Sequence, residues 1–291
     1  MARVQSDSKV TENLRWDGQL KNGSTWTVYC GDARRVLQDV QNETFDCVIT
    51  SPPYYWLRDY EVEEQIGLED TVEGYVAAVN GVMEEVFRVL RETGLLFLNL
   101  GDTYYSGKGK SHGTDPKSSR RRFGLRAVDK SGGLDVNAKP KSALGIPWRV
   151  AMRMCENGWV LRSPIVWHRK HCLPESVQDR PRRSYEYVFM FAKNRKYFFE
   201  RQPLVDVDEE DMWSIVARHR SPNGLGTAPF PDELVQRCLA IGCPAKGMVL
   251  DPFAGSGTTL RVAVKSGRCA TGIDLNRTFC DHIVEELEKM E

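Results

Sequence analysis

The sequence predicts an α/β protein built on a doubly wound, mostly parallel sheet, and three observations predict it. Short apolar, β-branched runs alternate with segments of helical spacing along most of the chain. The strongest run, 45–50, lacks period-two alternation, which fits a strand covered on both faces. Two runs end abruptly in loop chemistry, Ser51-Pro52-Pro53 after 45–50 and a glycine-rich turn after 248–251, so both loops fall at strand C-terminal edges.

Each element follows from its residues. Phe45-Asp46-Cys47-Val48-Ile49-Thr50 is a buried strand feeding a rigid Pro-Pro loop. Segment 72–90 places Tyr75, Val76, Val79, Val82, Met83, Val86, Phe87 and Leu90 on one helical stripe, with Gly94 expected as its C-cap. Leu95 to Leu100 returns as a strand. Segment 104–144 is rich in Gly, Ser, Lys and Arg with no period, and reads as a long surface insertion. Beyond it, 148–157 is helical, 163–168 and 187–192 are strands, and 200–225 is expected to be polar and weakly structured. A helix over 231–241, a strand over 248–251, a helix over 258–266, a strand over 269–273 and a closing helix over 278–289 complete the alternation.

Composition narrows the function classes. Hydrophobic residues at 41% and charged residues at 27% fit a soluble globular chain, and no apolar run approaches the roughly eighteen residues needed to cross a bilayer. The N-terminus lacks the apolar core of a signal peptide, so a cytoplasmic, DNA-associated location is the expectation once the motifs below are read. The eight cysteines show neither Cys-x-x-Cys pairs nor histidines at ligand spacing, so neither a metal nor a disulfide framework is expected. Forty basic and forty acidic residues cancel, yet their distribution is uneven. Arg120, Arg121 and Arg122 lie in a basic stretch over 108–130, and Arg182 and Arg183 lie in another over 169–201; both are candidate phosphate-contacting surfaces.

Two motifs carry chemistry. Leu250-Asp251-Pro252-Phe253-Ala254-Gly255-Ser256-Gly257-Thr258-Thr259 is a strand, a turn with two glycines and a helix start, the place where α/β sheets bind nucleotide-like ligands. It has neither the Gly-Lys-Ser/Thr of a phosphate-cradling loop nor the third glycine of a dinucleotide fingerprint, since Leu260 stands there. A second strand ends in Asp274-Leu275-Asn276, which puts a carboxylate where a ribose diol can be held. The other motif is Thr50-Ser51-Pro52-Pro53-Tyr54. An exocyclic amine is a poor nucleophile because its lone pair is conjugated into the base. Two acceptors aimed at its hydrogens, the Ser51 side chain and a carbonyl near Pro52, would pull the nitrogen toward tetrahedral geometry. Tyr54 would stack on a base flipped out of the duplex. A covalent route through cytosine carbon-5 calls for a cysteine nucleophile, typically after proline, and the chain has no Pro-Cys pair.

These residues resemble the permuted amino-methyltransferases acting on DNA, in which the catalytic motif precedes the cofactor motif. The resemblance implies a Rossmann-like fold of the class I methyltransferase type, S-adenosyl-L-methionine as cofactor and double-stranded DNA as partner. A cognate restriction endonuclease acting separately is a further candidate partner, and no membrane is implied. By the same resemblance Ser51, Pro52, Pro53 and Tyr54 are catalytic, and Asp32 contacts the cofactor adenine. Asp251, Phe253, Ala254, Gly255, Ser256, Gly257 and Thr258 form the cofactor loop, with Asp274, Leu275 and Asn276 beside the ribose. Ala228, Phe230 and Pro231 close over the methionine moiety, and Trp167 packs on the flipped base. The chain has Gly226-Thr227-Ala228-Pro229-Phe230-Pro231 where relatives often have His-x-Ala-x-Phe-Pro, so the aromatic and prolines carry that likeness. Asp102, at the end of the strand after the catalytic loop, is expected near the crevice, where it would polarise Ser51, contact a ring nitrogen or receive a proton late in the reaction.

The expected organisation is a loose N-terminal tail over 1–20 and a single domain over 21–291. Its catalytic half spans 25–200 and its cofactor-binding half 225–291, with 104–144 and 170–225 as target-recognition insertions. In such enzymes serine at the first catalytic position leans toward cytosine N4, whereas aspartate or asparagine is commoner in adenine N6 enzymes. Cytosine N4 methylation is therefore the expected activity. Adenine N6 methylation is the alternative, and a DNA-binding protein that keeps the fold without turnover is a more remote one.

Overall fold

The computed structural model describes residues 14–57, 60, 62, 64–105, 138–171, 177–217 and 229–290. Among them the chain forms one nine-stranded sheet in the order β1-β2-β9-β8-β3-β4-β6-β5-β7. In chain order the elements are β1 (Leu14–Gln19), β2 (Thr25–Cys30), α1 (Ala33–Val36), β3 (Phe45–Thr50), α2 (Val72–Val89) and β4 (Leu90–Leu100). Then come α3 (Ile146–Glu156), β5 (Val160–Lys170), β6 (Tyr185–Ala192), α4 (Gln202–Val207) and β7 (Met212–Val216). The last five are α5 (Asp232–Gly242), β8 (Met248–Asp251), α6 (Thr258–Lys265), β9 (Cys269–Asp274) and α7 (Arg277–Glu288). Only β1 and β6 run against the other strands, so the sheet is largely parallel.

The central strands are apolar on both faces because both faces are covered. Val48 of β3 and Leu96 and Leu98 of β4 pack into one core with α1, α2 and α3. Their alternates Cys47, Ile49, Leu95 and Phe97 pack into a second core with α4, α5, α6 and α7. The stripe on α2 buries Tyr75, Val76, Val79, Val82, Met83 and Val86, and Thr71 caps its start by accepting from the Gly74 N–H at 2.9 Å. Strands β3 and β8 are neighbours, but β3 leads outward to β4 and β8 leads the opposite way to β9. That reversal of winding opens a crevice beyond the strand C-terminal ends, with the Ser51 loop and the Phe253 loop as its two walls.

Three expectations are corrected. The loose tail does not extend over 14–20: Leu14–Gln19 is β1, paired with β2 through a turn in which Gly23 takes φ +85°. Gly94 does not cap α2; the helix ends at Val89, Leu90 is already extended, and Gly94 lies inside β4. A Cβ at Gly94 would fall 2.6 Å from the Leu90 side chain, so the glycine admits that side chain to the core and does not terminate a helix. Stretch 200–225 is structured where it is described. It holds α4 and the edge strand β7, whose Trp213 is fully buried and whose alternation puts Met212 and Val216 outside. Among the described residues no helix is long and apolar enough to cross a membrane.

Candidate active site

A cavity of about 680 Å³ occupies the crevice. Ser51, Pro52, Pro53 and Tyr54 line one side of it; Phe253, Ala254, Gly255, Ser256 and Thr258 line the other. Two sequence motifs some 200 positions apart are thus brought face to face, and a buried hydrogen bond ties their strands together. Thr50 Oγ1, the last residue of β3, donates to Asp251 Oδ1 at 2.6 Å. Asp251 also accepts from Thr259 Oγ1 at 2.7 Å and from the Phe253 N–H at 3.1 Å. The residue is only 1% exposed, and burial pushes its pKa up to about 6 although the two hydroxyls and the amide oppose the shift. Asp251 was expected at the cofactor; its oxygens are spent on holding both loops in register, even though the residue borders the cavity.

The catalytic-motif loop is braced from outside. The Tyr75 hydroxyl on α2 donates to the Pro53 carbonyl at 2.9 Å. Trp56 donates its backbone N–H to the Gly67 carbonyl at 2.6 Å and its indole to the Glu69 carbonyl at 2.7 Å, while the Glu69 carboxylate accepts from the Gly67 N–H at 3.0 Å. Gly67 has φ +111°, a conformation open at little cost only to glycine. Tyr54 enters the cavity with its hydroxyl turned inward to Glu186 Oε2 at 2.6 Å. Burial, then the charge of Glu186 and the hydrogen bond to it, push the Tyr54 pKa well above the ordinary tyrosine value, so this hydroxyl is a donor.

The glycine-loop side offers ligand-binding groups. Gly255 has φ +53°, and a Cβ there would meet only the Phe253 carbonyl at 3.9 Å, so its backbone faces open space. Thr258 Oγ1 is buried and has no hydrogen-bond partner among the described residues. At the tip of β9, Asp274 accepts from the Gly255 N–H and the Asn276 N–H, both at 2.8 Å, and burial pushes its pKa up to about 7. Asn276 in turn caps α7 by accepting from the Thr278 N–H at 2.9 Å. Just past β2, Asp32 caps α1 and is paired with Arg34. Burial alone would raise the Asp32 pKa, but the hydrogen bonds and charge of Arg34 outweigh it and hold the carboxyl below its usual value. An open glycine backbone, an orphaned buried hydroxyl, carboxylates at adjacent strand tips and the rings of Phe253 and Phe230 together fit a ligand with hydroxyls and an aromatic base.

Most of the expected site residues meet in this cavity. Asp32, Phe230, Asp274, Leu275, Asn276, Asp102, Trp167 and Arg183 border it. Pro231 does not; it sits at the N-cap of α5. Neither does Gly257, whose φ of +75° starts α6 and whose missing Cβ leaves room for Ile283 at 2.9 Å. Arg182 is exposed outside the cavity, and Arg120, Arg121, Arg122 and Ala228 lie outside the described residues. Asp102 accepts from the Thr103, Gly145 and Ile146 N–H groups at 2.8–3.0 Å, so its carboxylate anchors the start of α3 at the cavity wall. Trp167 is 4% exposed, and its indole donates to the Ile215 carbonyl at 3.2 Å. Reasoning from sequence missed Glu186, Asn99 and Tyr104 and placed Arg169 only within a basic stretch; all four line the cavity. Arg180 stacks on Tyr104 with its guanidinium 3.9 Å from the ring centroid, beside Arg183.

A doubly wound sheet with a Ser-Pro-Pro-Tyr loop facing a glycine-rich loop across its switch point is the arrangement expected of the DNA amino-methyltransferase class. The chain belongs to the DNA methylase family of N6 and N4 methyltransferases, which matches residues 45–285. It is 38% identical over 267 residues to Type II methyltransferase M.SmaI of Serratia marcescens, covering 89% of this chain and 90% of that one. Among solved structures, it resembles the putative DNA modification methylase TTHA0409 of Thermus thermophilus, complexed with S-adenosyl-L-methionine. There the TM-score is 0.62 and the identity 27%, over 90% of this chain and 93% of that one. PvuII DNA methyltransferase, described as cytosine-N4-specific, shares the fold at TM-score 0.67 and 17% identity, over 94% of each chain.

Proposed function

We propose that this DNA methyltransferase binds S-adenosyl-L-methionine against the Phe253–Thr258 side of the cavity and methylates the exocyclic N4 of a flipped cytosine. The observation that carries the reading is the placement of Ser51-Pro52-Pro53-Tyr54 opposite the glycine loop in one cavity, registered by the Thr50–Asp251 hydrogen bond. When bound, the cofactor supplies an electrophilic methyl group on a sulfonium, which departs as a neutral thioether. The chain's residues do the rest. Asp274 holds ribose hydroxyls, Asp32 lies toward the adenine, and Phe230 covers the methionine end. The Ser51 hydroxyl and the Pro52 carbonyl accept the two amino hydrogens, freeing the nitrogen lone pair. The Tyr54 ring stacks on the base and its face stabilises the positive charge that grows on the attacked nitrogen. That nitrogen then gives its extra proton to solvent water and is neutral again. Asp102 acts at a remove, by fixing the start of α3 at the cavity wall.

Trp167 bounds the base pocket, and Arg183, Arg182 and the Arg120-Arg121-Arg122 run contact phosphate, with 104–144 and 170–225 reading the target. The domain spans the sheet as one unit, its two halves meeting where β3 pairs with β8 and again where β2 pairs with β9. A Type II relative such as M.SmaI makes a separately acting cognate restriction endonuclease the natural companion. Mass analysis of nucleosides from unmodified DNA incubated with the protein and S-adenosyl-L-methionine tests the reading. N4-methylcytosine is expected. N6-methyladenine alone would assign the adenine activity instead, and cofactor binding without any modified nucleoside would leave a non-catalytic DNA-binding protein.

A further inference from the structure

The aromatic ring of the catalytic motif is held by a polar network on strands distant from it in sequence. Glu186 on β6 has a side chain only 10% exposed, and its carboxylate is held from two sides. Arg169 Nη1 on the neighbouring β5 donates to Oε1 at 2.8 Å, and Asn99 Nδ2 on β4 donates to Oε2 at 3.2 Å. The Asn99 amide is itself oriented by donating to the Tyr187 carbonyl at 3.0 Å. The Tyr54 hydroxyl donates to this preset carboxylate at 2.6 Å, with the Asn99 carbonyl oxygen a more distant acceptor at 3.2 Å. On its flank the ring is wedged against the chain at Gly101, where a Cβ would fall 2.6 Å from a ring carbon. The hydroxyl is fixed at one end and the ring edge at another, so the face turned to the cavity has one orientation.

We infer that Glu186 is a positioning residue for methyl transfer: through its hydrogen bond from the Tyr54 hydroxyl it presets the ring that stacks on the target base and makes that ring a better partner for a cation. A short hydrogen bond to a carboxylate draws the phenolic hydrogen toward the acceptor and leaves the ring richer in electrons. The face of such a ring attracts the cationic amine of the transition state more than it attracts the neutral amine of the bound base, so the effect belongs to turnover and not to ground-state binding. The inference rests on the reading of Tyr54 as the base platform. The competing role for Glu186 is structural, as the ion-pair partner of Arg169 between adjacent strands. In that role the Tyr54 hydroxyl would be incidental.

A double-mutant cycle separates the two roles. Labelled-methyl transfer from S-adenosyl-L-methionine to unmodified DNA is measured for Tyr54→Phe, Glu186→Gln, the double variant and Tyr54→Ala, with thermal unfolding and cofactor affinity recorded for each. Glu186→Gln and Tyr54→Phe should each lower kcat about tenfold, with KM for the cofactor nearly unchanged. The double variant should be no slower than Tyr54→Phe alone, because the second change removes a bond already gone. Multiplying losses in a folded double variant would overturn the inference, and so would a Tyr54→Phe variant as fast as the parent, the latter even if Glu186→Gln unfolds. Tyr54→Ala tests the underlying reading separately. Transfer that survives it removes Tyr54 as the platform, whereas its loss alongside a fully active Glu186→Gln refutes only the role of Glu186.

Discussion

Beside the backbone ladder of β3 and β8, one buried side-chain hydrogen bond ties the two strand ends together, and Thr50→Val removes it with almost no change of shape. Thr50 is fully buried and donates at 2.6 Å to Asp251, which is 1% exposed. A hydrogen bond to a buried charged group contributes about 1.5–3 kcal/mol, and Asp251 keeps its other two donors, so a loss near the lower half of that range is expected, about 2 kcal/mol. For a chain of this size that is a fall in Tm of about 4–8 °C. The loss depends on pH in a defined direction. Asp251 titrates at about 6 when folded, and the neutral acid is the weaker acceptor, so the destabilisation is larger at pH 8 than at pH 5. Methyl transfer should fall as well, because the two loops lose their common anchor. Thermal unfolding of both proteins at the two pH values, with transfer measured at the higher, is the assay. A Tm within about 1 °C of the parent, or a loss equal at both pH values, would refute the reasoning.

Buried carboxylates elsewhere in the cavity wall make stability itself depend on pH. Asp251 and Asp274 have folded pKa values of about 6 and about 7, above the roughly 3.9 of an unfolded aspartate. The unfolded chain therefore ionises first, and the stability these groups contribute is full below about pH 4 and is lost as pH rises through 6 and 7. Urea unfolding across that window should show the decline, and Asp251→Asn should flatten its lower part. Gly101→Ala places a methyl 2.6 Å from the Tyr54 ring and should cut methyl transfer about tenfold or more while costing about 1–3 kcal/mol of stability; unchanged transfer would contradict the wedge. Thr258→Val removes a buried hydroxyl that has no partner among the described residues. It should weaken S-adenosyl-L-methionine binding about threefold to tenfold in calorimetry without lowering Tm, and unchanged affinity would exclude that hydroxyl as a ligand contact.

The elements that place the site were legible because their signals are local. The 45–50 run, the stripe on 72–90 and the Asp251 to Thr259 turn each announce themselves within about twenty residues or fewer, and each appears as a strand, helix or loop, the helix ending one residue early. Strand β1 was not legible. Its alternation of Leu14, Trp16 and Gly18 with Arg15, Asp17 and Gln19 is short, and most of it stays exposed at a sheet edge, so it resembles a polar tail. Strand β7 is five residues long and follows an acidic stretch that masks the Trp213 and Ile215 pair. The polar network around Tyr54 was beyond reach for a different reason. Glu186 lies 132 positions away and meets Tyr54 only because β3, β4 and β6 are neighbours in the sheet. Asp251 shows the reverse limit: the motif puts it at a strand end beside the cavity, but only its three donors reveal that it joins the loops.

The proposed function divides the labour across one cavity, with the glycine-loop side holding the cofactor and Ser51 activating the amine. Calorimetric titration of S-adenosyl-L-methionine into Ser51→Ala, paired with methyl transfer by the same sample, tests it most directly. Cofactor affinity is expected within about twofold of the parent and transfer reduced at least about a hundredfold, the scale of losing one preorganised transition-state contact. Transfer at the parental rate, or affinity and transfer lost together, would contradict it.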